Sequence, residues 1–312
     1  MPSHLIDRQT KGVFVIAATP FTEDGAVDFA SIDTMVEFYI EKGATGLTIL
    51  GVMGEANKLT PDESREVAAR IFRRVAGRVP VVVGVSGPGL DNLRALGHDV
   101  MTMGAAGVMI APTPGRPVED RVVNYFAEVC EALGPDVPVC YQDYPQTTGV
   151  PVSVETVLKL TREFDQIVML KHEDSPGLAK VSAVRSRTGT GDMPRLSILC
   201  GNGGLYLPQE LARGADGAMT GFAYPEMLVQ VVDLFAKGEP DIAEDVYDAY
   251  LPILRYEQQP VFGLAVRKTI LQKRGAIANA RTRAPGPKLN STDIAELDRL
   301  MARTARKAAA LA

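Results

Sequence analysis

Short aliphatic runs punctuate this chain at a spacing that leaves room for one helix between neighbours, and that recurrence constrains the fold more than any other feature. The runs are Val13 to Ala17, Leu47 to Leu50, Val81 to Val85, Val108 to Ile110, Val137 to Tyr141, Ile167 to Leu170, Leu196 to Cys200 and Ala218 to Thr220. They return about every 20 to 35 residues, the length of one strand, one helix and two loops. Nearly continuous apolar runs of this kind suit strands covered on both faces, as in a parallel sheet whose crossovers are helices.

The intervening segments carry helix punctuation. Thr60-Pro61-Asp62-Glu63 places a capping hydroxyl, a proline suited to the first turn and a glutamate that can reciprocate the cap. Three junctions repeat one phrase just before a strand: Gly43-Ala44-Thr45-Gly46, Gly104-Ala105-Ala106-Gly107 and Gly214-Ala215-Asp216-Gly217. Each reads as a glycine helix stop followed by a tight turn. Repeated αβ junctions of this sort, with about eight strands, predict an α/β protein of the (β/α)8 type, a TIM barrel. An open doubly wound sheet is the alternative, but its GxGxxG turn is missing: the first run leads into Ala18-Thr19-Pro20-Phe21. After Lys237 the strand signals stop, and Asp241 to Tyr256, Val261 to Lys273 and Thr292 to Leu311 read as helices around a Pro-rich link, Arg281 to Lys288. The expected division is a barrel over 1–237 and a C-terminal helical extension over 238–312.

Composition narrows the function classes. With 312 residues, 46% of them hydrophobic, one large core is within reach. A net charge of −5 without a block of like charges argues against nucleic acid or an anionic membrane as partner and favours a small soluble ligand. Cys130, Cys140 and Cys200 lie in or beside apolar stretches without CxxC spacing, so buried thiols in a reducing compartment are expected. His4, His98 and His172 form no ligand cluster, so neither a metal nor another cofactor is expected. No apolar run approaches the roughly 20 residues that span a bilayer, and the N-terminus has no leader pattern. A cytoplasmic protein is the expectation.

In such barrels chemistry sits at the C-terminal ends of the strands. Lys171 follows the run Ile167 to Leu170 and so places an amine at the end of a buried strand. Desolvation there favours the neutral amine that attacks a ketone; a strand-end lysine paired with Glu173 or Asp174 is the plainer reading. Tyr141 ends the preceding run, where its phenol could carry protons or simply pack. Gly51-Val52-Met53-Gly54-Glu55 after the second run could turn backbone N–H groups toward a carboxylate or be a mere turn. Gly201-Asn202-Gly203-Gly204 after the seventh run could do the same, for a carboxylate or a phosphate, or again be only a turn.

Taken in order, these residues resemble the dihydrodipicolinate synthase and N-acetylneuraminate lyase family over nearly the whole chain. Gly51 to Glu55 resembles its G-x-x-G-E loop, Tyr141 to Gly149 its Y-N-x-P-x-x-T-G segment, and Leu170-Lys171 its strand-end lysine. The resemblance implies a Schiff base on Lys171, a proton shuttle at Tyr141, carboxylate binding at Gly51, Val52, Met53 and Gly54, and a homo-oligomer, tetramer or dimer; Gly201, Asn202 and Thr220, at other strand ends, are further expected substrate contacts. It also shows departures. Val52 and Met53 replace two threonines of dihydrodipicolinate synthases, Pro112-Thr113-Pro114 stands where they carry a second relay tyrosine, and their carboxylate-binding arginine has no counterpart in Tyr141 to Gly149, a segment one residue longer. Tyr141-Gln142-Asp143, Lys171-His172-Glu173 and Gly217 to Gly221 look more like the branch with 2-keto-3-deoxy sugar-acid dehydratases.

The reading is therefore a Schiff-base lyase for pyruvate or a 2-oxo acid, a dehydratase or aldolase of a 2-keto-3-deoxy sugar acid. The alternatives are a dihydrodipicolinate synthase and a homologue that binds 2-oxo acids without catalysis. Strand alternation turns His172 away from the Lys171 face, toward a structural role, and returns Glu173 to it as a polar helper.

Overall fold

A computed structural model describes residues 5–87, 89–112 and 119–311. Eight parallel strands close into a barrel in sequence order: β1 Gly12–Ile16, β2 Gly46–Ile49, β3 Val81–Gly84, β4 Gly107–Ile110, β5 Val139–Asp143, β6 Ile167–His172, β7 Ser197–Cys200 and β8 Gly217–Thr220. The helices are α1 Phe29–Glu41, α2 Pro61–Val75, α3 Leu90–Thr102, α4 Glu119–Leu133, α5 Pro145–Thr148, α6 Val154–Glu163, α7 Leu178–Arg187, α8 Leu207–Ala212, α9 Pro225–Ala236, α10 Pro240–Glu257, α11 Gly263–Lys273 and α12 Ser291–Ala309. Short 3-10 turns at Val52–Gly54, Ala56–Lys58 and Asn202–Gly204 follow β2 and β7.

Every apolar run holds a strand, with two shifts that matter. β5 starts at Val139, because Pro138 has no N–H to give to a ladder. It then continues through Gln142 and Asp143, which pair with Lys171 and His172 of β6. Lys171 thus lies within β6. Pairing to a neighbour carries both strands past the end of their apolar pattern.

Alternation along the strands divides the core in two. Phe14, Ile16, Val82, Met109, Cys140, Met169, Leu199 and Met219 point inward and fill the lumen, sealed at its lower end by Ile6, whose N–H donates to the Ala106 carbonyl at 2.8 Å. The lumen is a packed core, as the fold requires. The other parity, including Val13, Leu47, Val83, Ile110, Tyr141, Leu170 and Ile198, packs against the ring of helices. All three cysteines are buried free thiols, and burial pushes Cys130 and Cys140 up to about 12.

The local signals act as expected. Thr60 and Glu63 form a reciprocal capping box at the start of α2, a cap worth about 1 kcal/mol. The helix-stop glycines Gly43, Gly104 and Gly214 have φ of +84°, +104° and +90°, which a side chain would resist. After β8 the described chain is helical. α11 is tied into the barrel's upper end by Lys268, whose Nζ lies 2.5 Å from Glu55 Oε1 in the loop after β2; burial pushes this lysine down to about 8, with Glu55 opposing. No helix among the described residues is long and apolar enough to cross a membrane.

Candidate active site

The C-terminal ends of the strands surround a cavity of about 620 Å³, in the range that suits a small ligand. Lys171 and Glu173 enter it from β6 and the residue just beyond, two steps apart and therefore on the same face. The Lys171 side chain is 6% exposed and that of Glu173 is 9%, with Nζ 2.9 Å from Oε2. Gln142, the lumen-facing residue of β5 beside Lys171, donates from Nε2 to the same carboxylate oxygen at 2.6 Å. An amine, a carboxylate and an amide thus converge on one end of the cavity. The amide orients the carboxylate, which is the only group of the three placed to take a proton from the amine.

The loops behind this cluster hold it in place. A Cβ on Gly201 would fall 2.2 Å from Glu173 Cγ, so the glycine leaves room for that side chain. Asn202 Nδ2 donates to the Glu173 carbonyl at 3.0 Å, and the Gly203 N–H donates to Thr220 Oγ1 at 2.7 Å. Of the residues expected at the site, Lys171, Val52, Met53, Asn202 and Thr220 line this cavity. In the 3-10 turn Val52–Gly54 the internal bonds begin with Gly54 N–H to the Gly51 carbonyl and Glu55 N–H to the Val52 carbonyl, so they do not consume the Val52 and Met53 N–H groups.

Four expected positions need correction. Gly201 stands behind Glu173 and is not among the lining residues. Gly51 borders the neighbouring cavity that Ser86, Met109 and Arg121 also line, while Gly54 lines neither and accepts from Thr19 Oγ1 at 2.6 Å through its carbonyl. The largest correction is Tyr141. Its side chain has the outward parity, packs edge-on against Phe126 of α4 with ring centroids 5.2 Å apart, and donates to Asp143 Oδ1 at 3.3 Å. The phenol belongs to the layer between sheet and helices, and Tyr141 is paired with Leu170 while Gln142 faces Lys171. Of the Pro112-Thr113-Pro114 stretch, Thr113 and Pro114 lie outside the described residues.

Tyr141→Phe should therefore keep kcat and KM within about threefold, since loss of a proton relay would cost about 10² to 10⁴-fold. Its cost in stability should be about 1 kcal/mol, one hydrogen bond. Steady-state kinetics with denaturant unfolding checks both, and a hundredfold fall in kcat would restore the tyrosine to the reaction.

His172 turns outward, as alternation requires. Its Nδ1 lies 3.8 Å from Asp143 Oδ2, which Lys180 approaches to 2.5 Å. Burial pushes nearby Glu210 up to about 7, opposed by His172 and by a hydrogen bond with Cys200. This polar cluster backs β6 from the helix side.

Farther round the mouth, beside the ends of β8 and β1, Glu257 and Arg267 bring a second buried pair from α10 and α11, with Nε 2.6 Å from Oε1. Burial raises the Glu257 carboxyl, and the guanidinium works against that rise. Gln142, Glu257 and Arg267 were not marked by the sequence. Gln142 had a signal: Pro145-Gln146-Thr147-Thr148-Gly149 matches P-x-x-T-G, and counting back from Pro145 puts the family's tyrosine position at Gln142. The other pair had none, because only tertiary packing brings the two helices over the barrel.

Comparison with known proteins agrees with this architecture. The model of the dihydrodipicolinate synthetase family matches residues 9–303. L-2-keto-3-deoxyarabonate dehydratase of Azospirillum brasilense is 32% identical over 291 residues, 92% of each chain. The crystal structure of dihydrodipicolinate synthase from Rhodopseudomonas palustris superposes with a TM-score of 0.94 at 45% identity, covering 96% of this chain and 100% of that one. A prophage protein of the same family from E. coli K12, solved in complex with pyruvate, gives 0.85 at 25% identity over 95% and 98% of the two chains.

Proposed function

Because the chain belongs to the dihydrodipicolinate synthetase family, we propose that this lyase condenses the Lys171 amine with the ketone of a 2-keto-3-deoxy sugar acid and expels water from the adduct. The observation that carries the reading is the buried Lys171–Glu173 contact of 2.9 Å inside the cavity.

Glu173 takes the proton that the ammonium must lose before it attacks C2 and passes it to the carbinolamine hydroxyl, which leaves as water to give an iminium and a free Glu173 carboxylate. That cation is an electron sink, which makes the C3 hydrogens acidic. Removal of one to the Glu173 carboxylate gives an enamine. Its electrons then expel the C4 hydroxyl, which leaves as water on protonation. Hydrolysis of the unsaturated imine frees Lys171 and the product. Gln142 holds Glu173 through one oxygen and transfers no proton itself. The Val52 and Met53 N–H groups suit the carboxylate beside the ketone.

Dehydration is favoured over retro-aldol cleavage by where the base stands. A carboxylate beside the imine nitrogen reaches the C3 hydrogen, whereas C3–C4 cleavage needs a base on the C4 oxygen, the place of the relay that Tyr141 does not fill. The similarity to the Azospirillum dehydratase supports the same choice. Synthesis of dihydrodipicolinate would require a cation for a second carboxylate, and the cavity's second cation, Arg267, is already matched by Glu257.

Incubation with a panel of 2-keto-3-deoxy pentonates and hexonates, with products identified by mass and NMR, tests the proposal. The expected product has lost water. Release of pyruvate and an aldehyde would replace dehydratase with aldolase, and no turnover of any member would overturn the function. We further propose that residues 238–312 form an extension of the barrel, tied to it through Lys268–Glu55 and Arg283–Glu63, that the enzyme is a cytoplasmic homo-oligomer, dimer or tetramer, and that it needs no cofactor. Solution mass decides the assembly.

A further inference from the structure

We propose that Arg267 selects the substrate by its far end, donating from Nη1 to a hydroxyl beyond C4 of a monocarboxylic 2-oxo acid; this rests on the lyase reading above. Arg267 is 2% exposed and lines the same cavity as Lys171. Its Nε is committed to Glu257 Oε1 at 2.6 Å, and Glu257 in turn accepts the Ala223 N–H at 3.1 Å. Nη1 is buried and has no hydrogen-bond partner among the described residues. An N–H cut off from water without an acceptor is costly and is rarely kept without a use.

The surroundings make space for that nitrogen. Gly221, directly after β8, also lines the cavity, and a Cβ there would come within 2.2 Å of Nη1 and 2.9 Å of the Ile16 carbonyl oxygen. The guanidinium therefore rests against the backbone at the ends of β8 and β1. Lys171 stands two strands away on β6, and strand spacing puts the two positions on the order of 10 Å apart. Pyruvate held on Lys171 is too short to reach Arg267, whereas a five- or six-carbon acid extended toward β8 brings its last hydroxyls to it.

Charge decides what Nη1 receives. Among the described residues, the charged ones lining the cavity are Lys171, Glu173, Glu257 and Arg267, two cations and two carboxylates in matched pairs. A second substrate carboxylate would meet an arginine already neutralised at contact distance and would face the Glu257 carboxylate beside it. A hydroxyl accepts the free N–H and brings no charge.

The test compares a 2-keto-3-deoxy pentonate with its analogue lacking the terminal hydroxyl. The wild type should prefer the hydroxylated acid by about 10- to 100-fold in kcat/KM, the range for a hydrogen bond from a charged donor. Arg267→Lys keeps the cation for Glu257 but loses the second nitrogen. It should bring that ratio to about 1 by a fall on the hydroxylated acid alone, with borohydride trapping of pyruvate retained. An unchanged ratio, or an equal fall on both acids, would overturn the assignment. Should that variant not fold, the Glu257→Gln/Arg267→Met pair removes both charges together and reads the same ratio. Failure of the wild type to trap pyruvate would instead strike the Schiff-base reading itself.

Discussion

Glu173→Gln should block proton removal from C3 while the imine still forms, more slowly, because water must then take the ammonium proton. Glutamine keeps the size of the side chain and can still hydrogen-bond with Gln142, but it cannot accept the C3 proton. General-base catalysis contributes about 10² to 10⁴-fold, so kcat on the sugar acid should fall by that much with a smaller change in KM. The sharper measurement is exchange of the pyruvate methyl hydrogens in D2O, which needs the imine and a base but no leaving group. Wild type should exchange them and Glu173→Gln should not, while borohydride still fixes the pyruvate adduct. The adduct should form more slowly, since the carboxylate that takes the ammonium proton is gone; the decisive outcome is the exchange. Undiminished exchange would remove Glu173 from the reaction and point to a base on another strand end.

The barrel was legible because its cause is local. Strand runs, capping boxes and glycine stops repeat, and each is fixed by residues a few positions apart. Parity on one strand was legible too: Lys171 and Glu173 share a face and His172 takes the other, because side chains alternate whatever the neighbours do. What could not be read was parity between strands. On β5 plain alternation turns Cys140 and Gln142 inward and Tyr141 outward, but which of them faces Lys171 depends on the register of β5 on β6, where Val139 pairs with Ile167 and Cys140 with Met169. A one-residue slip moves a side chain to the other face, so a motif aligned on its tyrosine named the wrong residue, while alignment on Pro145 and Gly149 names the right one. Glu257 and Arg267 were out of reach for a different reason: no local pattern in their helices marks them, and their place over the cavity depends on how α10 and α11 pack on the closed barrel.

Lys171→Ala should abolish the covalent route. The variant should acquire no mass on treatment with pyruvate and borohydride, and turnover of the sugar acid should fall on the order of 10⁴-fold or more, since positioning without a nucleophile leaves no electron sink at C2. Loss of folding would mimic that result, and the structure says how to separate the two. Breaking a buried ion pair costs about 3 to 5 kcal/mol because the remaining charge is stranded. Glu173 keeps its bond from Gln142 and borders an open cavity, so water can enter and the cost should lie at the low end of that range. The Lys171→Ala/Glu173→Gln double variant, with no stranded charge, should recover much of the loss in denaturant unfolding while staying inactive. The competing amines are Lys180, committed to Asp143 and Asp174, and Lys268, sealed against Glu55. Neither lines the cavity that holds Lys171, so a pyruvate adduct mapped by peptide mass to either of them in Lys171→Ala would overturn both the nucleophile and the site built around it.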